Sequence, residues 1–125
     1  MKSQDLEDRL VLFAIMISML VDKMPVTLTG KYLAGQLIRS GLSPALNYGE
    51  ARSAESSGDF IHKMKIVLKE LRESFISLRI LKKRHIMEDG SGVDKCLDEC
   101  NELISIFVKS IQTAEKRKKS DIKNR

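Results

Sequence analysis

Phe60, Met64, Val67, Leu71, Phe75 and Leu78 recur at alternating steps of four and three residues. Further on, Val93, Leu97, Cys100, Ile104, Phe107, Ile111 and Ala114 do the same. A period near 3.5 gathers side chains on one face of an α-helix, whereas a half-buried strand would alternate every second residue. No stretch of the chain shows that shorter alternation. A helix with one apolar seam must bury it against another element. Glu88-Asp89-Gly90-Ser91-Gly92, the clearest loop, leaves only a short turn between the two seams, so these helices pack antiparallel.

The rest of the chain extends this to four helices. The first is predicted near 5–23, with Asp5, Glu7 and Asp8 complementing the dipole at its start and Met24-Pro25 stopping it. The second is predicted near 29–52, capped by Thr27 or Thr29, and Pro44 is expected to kink or interrupt it. Gly35, Gly41 and Gly49 would let a neighbouring backbone approach closely. Ser56 with Asp59 resembles a capping box for a third helix near 57–84, and the fourth is predicted near 93–116. The fold class is therefore all-α, an up-down-up-down antiparallel four-helix bundle over residues 1–115, followed by a basic tail at 116–125 expected to fray. The 125 residues suit one domain, and with 5% aromatics and no Trp the core must be Leu, Ile, Val and Met.

From Leu10 to Val21 only Ser18 is polar. This run is too short for the roughly 20 residues that span a bilayer, and acids stand before it where a signal peptide carries positive charge. It reads instead as a helix buried on more than one side, one face for its own bundle and another for a second subunit. Homo-oligomerisation is expected, with no membrane partner. Cys96 and Cys100 lie four apart, share a helix face and are unsuited to bridging each other. They read as reduced, buried thiols in a cytoplasmic protein.

One segment has a distinctive look. Gln36-Leu37-Ile38-Arg39-Ser40 leads through Ser43-Pro44 to Asn47-Tyr48-Gly49-Glu50-Ala51, then to Phe60-Ile61, Lys63 and Ile66-Val67-Leu68-Lys69-Glu70-Leu71-Arg72-Glu73. With Lys23-Met24-Pro25, this resembles a family of bacterial four-helix-bundle proteins. They were first noticed as reading frames inside intervening sequences of large-subunit ribosomal RNA genes, and they once carried a ribosomal-protein label. The resemblance covers roughly residues 5 to 115. It implies a bundle that tends to form a ring of five, and it extends to accessory proteins of diversity-generating retroelements, basic pentamers that bind nucleic acid and a reverse transcriptase. It implies no catalytic residues. The motif's polar residues are Arg39, Asn47, Tyr48 and Glu50. They are expected to be structural, Asn47 or Arg39 satisfying carbonyls freed at Pro44 and Tyr48 packing with its hydroxyl at the edge, with a ligand or partner site as the alternative.

No enzyme constellation stands out. Asp59-x-x-His62 only approximates a di-metal ligand pair, no second Cys or His pair completes a zinc site with Cys96 and Cys100, and Gly90-Ser91-Gly92 lacks the length and Lys of a phosphate loop. No cofactor is expected. Charge is the more suggestive signal. The net charge is +5, distributed as −1 over residues 1–59, +6 over 60–85, −5 over 86–115 and +5 over 116–125. Lys65, Lys69, Arg72, Arg79, Lys82, Lys83 and Arg84 on the third helix, with Lys116, Arg117, Lys118 and Lys119 in the tail, form a candidate RNA- or DNA-binding set. The plainer expectation is that the acidic fourth helix offsets the basic third. A non-enzymatic oligomeric scaffold, which also admits a separate protein partner, is the leading functional expectation. Sequence-independent nucleic-acid binding is the alternative.

Overall fold

The computed structural model describes residues 1–124; Arg125, in the basic tail, lies outside them. Four helices follow in order: α1 (Ser3–Asp22), α2 (Leu28–Arg52), α3 (Ser57–Lys83) and α4 (Ser91–Lys123). Each packs against its neighbours in the chain, and α4 returns to α1 along a sparser contact. This is the predicted four-helix bundle with up-down-up-down connections.

The caps explain the boundaries. The Thr27 hydroxyl accepts the amide of Gly30 at 3.0 Å, and the Ser56 hydroxyl accepts that of Asp59 at 3.0 Å, each satisfying an otherwise orphaned donor of a helix's first turn. At the end of α3, His85 takes φ 52°, in the left-handed region. Its amide reaches the Lys82 carbonyl and that of Ile86 reaches Leu81, the paired bonds that close a helix where glycine is usual. At the start of α4 the Asp89 carboxylate accepts the Ser91 amide at 2.9 Å, which also holds its pKa below the ordinary value.

Leu10, Phe13, Ile17, Leu37, Met64, Leu71, Leu78, Leu103 and Phe107 form the centre of the core. Tyr48 of α2 meets Phe107 of α4 edge to face across the bundle, with ring centroids 5.7 Å apart at 82°. Two predicted seams are corrected. On α4 the buried line runs through Val93, Cys96, Cys100, Leu103, Phe107 and Ile111, leaving Leu97, Ile104 and Ala114 half-buried. On α3 Phe60 and Phe75 are half-buried, while Ile61, Ser74, Ser77 and Leu81 turn inward. Both helices sit turned by about one residue from the simplest heptad. Small hydroxyls are tolerated inside α3 because Ser74 donates to Ser40 of α2 at 2.8 Å.

α2 runs through Pro44 without the interruption its sequence suggested. It approaches α1 closely at Gly41, where an added β-carbon would lie 2.7 Å from Cγ2 of Ile17. α4 also departs from expectation. It continues to Lys123, so residues 116–123 are helical rather than frayed. At about 1.5 Å per residue α4 is about 50 Å long against about 30 Å for α1, and its last turns stand beyond the bundle, exposed to solvent.

Candidate functional site

The polar residues of the central motif are tied into the α2–α3 packing. Arg39 donates to Glu73 at 2.6 Å, Asn47 to Glu70 at 2.8 Å and Lys63 of α3 to Glu50 at 3.3 Å. Together with Ser40 and Ser74 these form a ladder that fixes the antiparallel register of the two helices. Glu70 is nearly buried, so Asn47 supplies hydrogen bonding that water cannot. The sequence suggests that Asn47 or Arg39 serves carbonyls freed at Pro44; instead both reach carboxylates on the neighbouring helix. Tyr48 does not join the ladder. It is buried against Phe107, and burial pushes its phenol above the ordinary pKa, opposed by a hydrogen bond from Ser3. The four residues therefore do not converge on one cavity.

The two thiols are also inward-facing. Cys96 and Cys100 are buried and unpaired, and the Cys100 thiol donates to the Leu71 carbonyl at 3.2 Å. Burial pushes Cys96 up to about 11 and Cys100, which also feels Cys96 and Glu99, up to about 12. At neutral pH neither holds the thiolate needed by a nucleophile or a metal ligand. Among the described residues no three His, Cys, Asp or Glu side chains gather as a metal cluster would require. His62 and His85 are both exposed.

The basic residues divide differently from the sequence expectation. Among the described residues only Lys82 and Lys65 of α3 meet acids of α4, Lys82 with Asp94 at 2.9 Å and Lys65 with Glu115 at a long 3.7 Å. The acids in the middle of α4 turn the other way: Arg9 of α1 bonds Glu99 through two nitrogens, one at 3.1 Å, and Glu102 at 2.8 Å. Acidic α4 thus divides its ion pairs between Arg9 of α1 and the two ends of α3. Lys69, Arg72, Arg79, Lys83 and Arg84 are exposed and have no ion-pair partner among the described residues. In the helical tail Lys116, Lys119 and Lys123 share one face, while Arg117 and Lys118 point elsewhere.

The sequence anticipated a second apolar face on α1 without saying which residues form it. Leu6, Leu10, Phe13, Ile17 and Leu20 point into the core, whereas Leu12 and Met19 are each 59% exposed, Ile15 48% and Val11 45%. Leu12, Ile15 and Met19 make a stripe at helical spacing on the side away from the core. Elsewhere on the surface α2 exposes Leu46 at 73%, and α3, which does not touch α1, exposes Ile76 and Ile80. Within the bundle α4 exposes no large hydrophobic residue among those described; only Ile122, out on the tail, is exposed. A wide, open groove over α3 is lined by Tyr32, Gln36, Lys69, Arg72, Ile76 and Ile80. It is too shallow to enclose a small molecule as a ligand cavity does.

No helix of the described residues is long and apolar enough to cross a membrane. No protein-family model matches the chain, and no curated protein matches it. Among solved structures, the chain is similar to the crystal structure of a protein with unknown function from the S23 ribosomal protein family of Bacteroides thetaiotaomicron VPI-5482. The TM-score is 0.76 at 27% identity, over 90% of this chain and 99% of that one.

Proposed function

We propose that the protein is a non-enzymatic, homo-oligomeric scaffold of the cytoplasm, a member of the four-helix-bundle family its central motif resembles, with the outward face of α1 as a self-association surface. The observation that carries this reading is the exposed stripe of Leu12, Ile15 and Met19. Single exposed hydrophobic residues are ordinary, but a contiguous stripe on a soluble surface marks an interaction site. Buried thiols, exposed histidines and a groove without depth fit a protein that binds rather than transforms. The resemblance favours five copies. Light scattering on the full chain tests the reading. A mass several times 14.2 kDa at tens of micromolar supports it, and a stable 14.2 kDa species overturns it.

A second reading, sequence-independent RNA or DNA binding, is favoured by the exposed arginines Arg79 and Arg84, which have no ion-pair partner among the described residues, and by the helical face of Lys116, Lys119 and Lys123. Phosphate contacts of this kind release counterions, so retention of mixed-sequence nucleic acid should fall steeply with salt, and removing residues 116–125 should flatten that slope. Filter binding near 50 mM salt checks it; absence of retention at tens of micromolar protein, the weak end for non-specific binding, removes this reading.

A further inference from the structure

The outward stripe of α1 has a charged residue at each end. Asp8 precedes Leu12, Ile15 and Met19, and Asp22 follows them. The outward face of α3 carries a shorter apolar line with charges of the opposite sign at its ends, Lys69 before Ile76 and Ile80 and Lys83 after them; Glu73, on the same face between Lys69 and Ile76, is paired with Arg39 of α2 at 2.6 Å. Both pairs of charges are fourteen residues apart, close to four helical turns, so each pair lies on one face about 21 Å apart. All four are exposed, and none has an ion-pair partner among the described residues; the only side-chain bond to any of them is from Gln4 to Asp8 at 3.0 Å.

The geometry points to a second copy of this chain as the occupant of the α3 groove, its α1 stripe lying along Ile76 and Ile80 with Asp8 and Asp22 opposite the Lys69 and Lys83 ends. Charge decides between this pairing and the alternatives. An α1 stripe set against another α1 stripe would bring Asp8 and Asp22 together, and two α3 stripes would oppose lysines. Either self-pairing places like charges at both rims, which disfavours it. The α1-to-α3 pairing matches sign at both ends and apolar surface between. Because it joins two different surfaces, it leaves one unused stripe of each kind on every pair and continues from copy to copy, closing as a ring or growing as a filament rather than stopping at a two-fold dimer. It also covers Lys69 and Lys83, leaving Arg79, Arg84 and the α4 tail free for phosphate.

This inference rests on the self-association reading, and a charge-reversal series separates the two. One variant carries Asp8→Lys and Asp22→Lys, a second carries Lys69→Glu and Lys83→Glu, and a third carries all four. Each is measured by light scattering beside the wild type, with circular dichroism to confirm helicity. Either double variant should fall to 14.2 kDa, and the quadruple variant, whose rims match again with signs exchanged, should recover the wild-type mass. An assembled wild type whose mass neither double variant changes, or whose quadruple variant stays dispersed, overturns the α1-to-α3 pairing and leaves self-association standing. A wild type that is itself a 14.2 kDa monomer removes both. If a double variant loses helicity, Asp8→Asn with Asp22→Asn and Lys69→Gln with Lys83→Gln replace it. These neutral changes should lower the mass at a given concentration, and no decrease from either counts against the pairing.

Discussion

α1 and α4 are neighbours in the bundle, yet their outward faces differ in kind. Both bury a continuous apolar line, through Leu10, Phe13 and Ile17 on one and Cys100, Leu103 and Phe107 on the other. Away from the core, α4 presents Asp98, Asn101, Glu102 and Ser105, as a helix of a solitary bundle should, while α1 presents Leu12, Ile15 and Met19. The core cannot account for that difference, because it is satisfied in both helices. The contrast separates what this chain needs in order to fold from the exposed stripe on which the proposed self-association rests.

If the contrast is sound, the inward positions of both helices should be equally intolerant of charge. The largest effect is expected for Ile17→Lys. Ile17 is fully buried and touches the α2 backbone near Gly41, so an unpaired ammonium there should cost more than about 4 kcal/mol and abolish the cooperative thermal transition in circular dichroism. A folded Ile17→Lys protein would show that α1 is not anchored where the structure puts it.

The inward face of α4 is probed by its thiols. Cys96 and Cys100 titrate higher in the folded chain than in the unfolded one, so the stability they hold is complete below about pH 9 and is lost as pH rises toward 11 and 12. The loss should approach about 1.4 kcal/mol per pH unit for each thiol across that window. Chemical denaturation from pH 8 to 10.5, compared with a Cys96→Ala, Cys100→Ala variant, should show a steeper alkaline decline in the native sequence. Thiol reagents at pH 8 should label the native protein slowly and the unfolded chain at once. Rapid labelling of the native protein would place the cysteines outside the core.

Two glycines of α2 sharpen the contrast further. Gly41→Ala forces a β-carbon into Ile17, and overpacking of this kind should cost about 1–2 kcal/mol even after the gain in helix propensity. At Gly35 a β-carbon would meet nothing within 4 Å, so Gly35→Ala should stabilise the fold by about 0.5–1 kcal/mol. Urea denaturation measures both, and equal effects would mean that the two faces of α2 had been misassigned.

The sequence disclosed the helices well and their rotations poorly. The predicted limits of the first three fall within two residues of those observed, because Pro25, Thr27, Ser56 and Asp59 are local signals that need no neighbour to act. α4 was drawn seven residues short. Lys116-Arg117-Lys118-Lys119 read as a solvated tail, yet these are good helix formers and no Gly or Pro interrupts them before Lys123, a signal that was present. Rotation was harder. Val93, Cys100, Phe107 and Ile111 belong to either of two seams, and only packing against α1 and α3 chooses Cys96 and Leu103 over Leu97 and Ile104. The α2–α3 ladder was illegible for a related reason: which carboxylate Asn47 or Arg39 meets depends on the register of two helices, which no single segment encodes. The second apolar face of α1 was visible as an uninterrupted run, but the structure was needed to sort Ile15 from Ile17.

That sorting supplies the most direct measurement. Ile15→Lys and Ser105→Lys place the same charge on the outward faces of α1 and α4, where both positions are exposed. Sedimentation of both variants and the wild type at one concentration, with helicity checked in parallel, compares the two faces alone. Ser105→Lys should retain the wild-type mass and lie within about 0.5 kcal/mol of its stability, as surface substitutions do. Ile15→Lys should keep its helicity and fall to 14.2 kDa. An Ile15→Lys protein that sediments with the mass of the wild type would contradict the claim that the outward face of α1 is there to be covered.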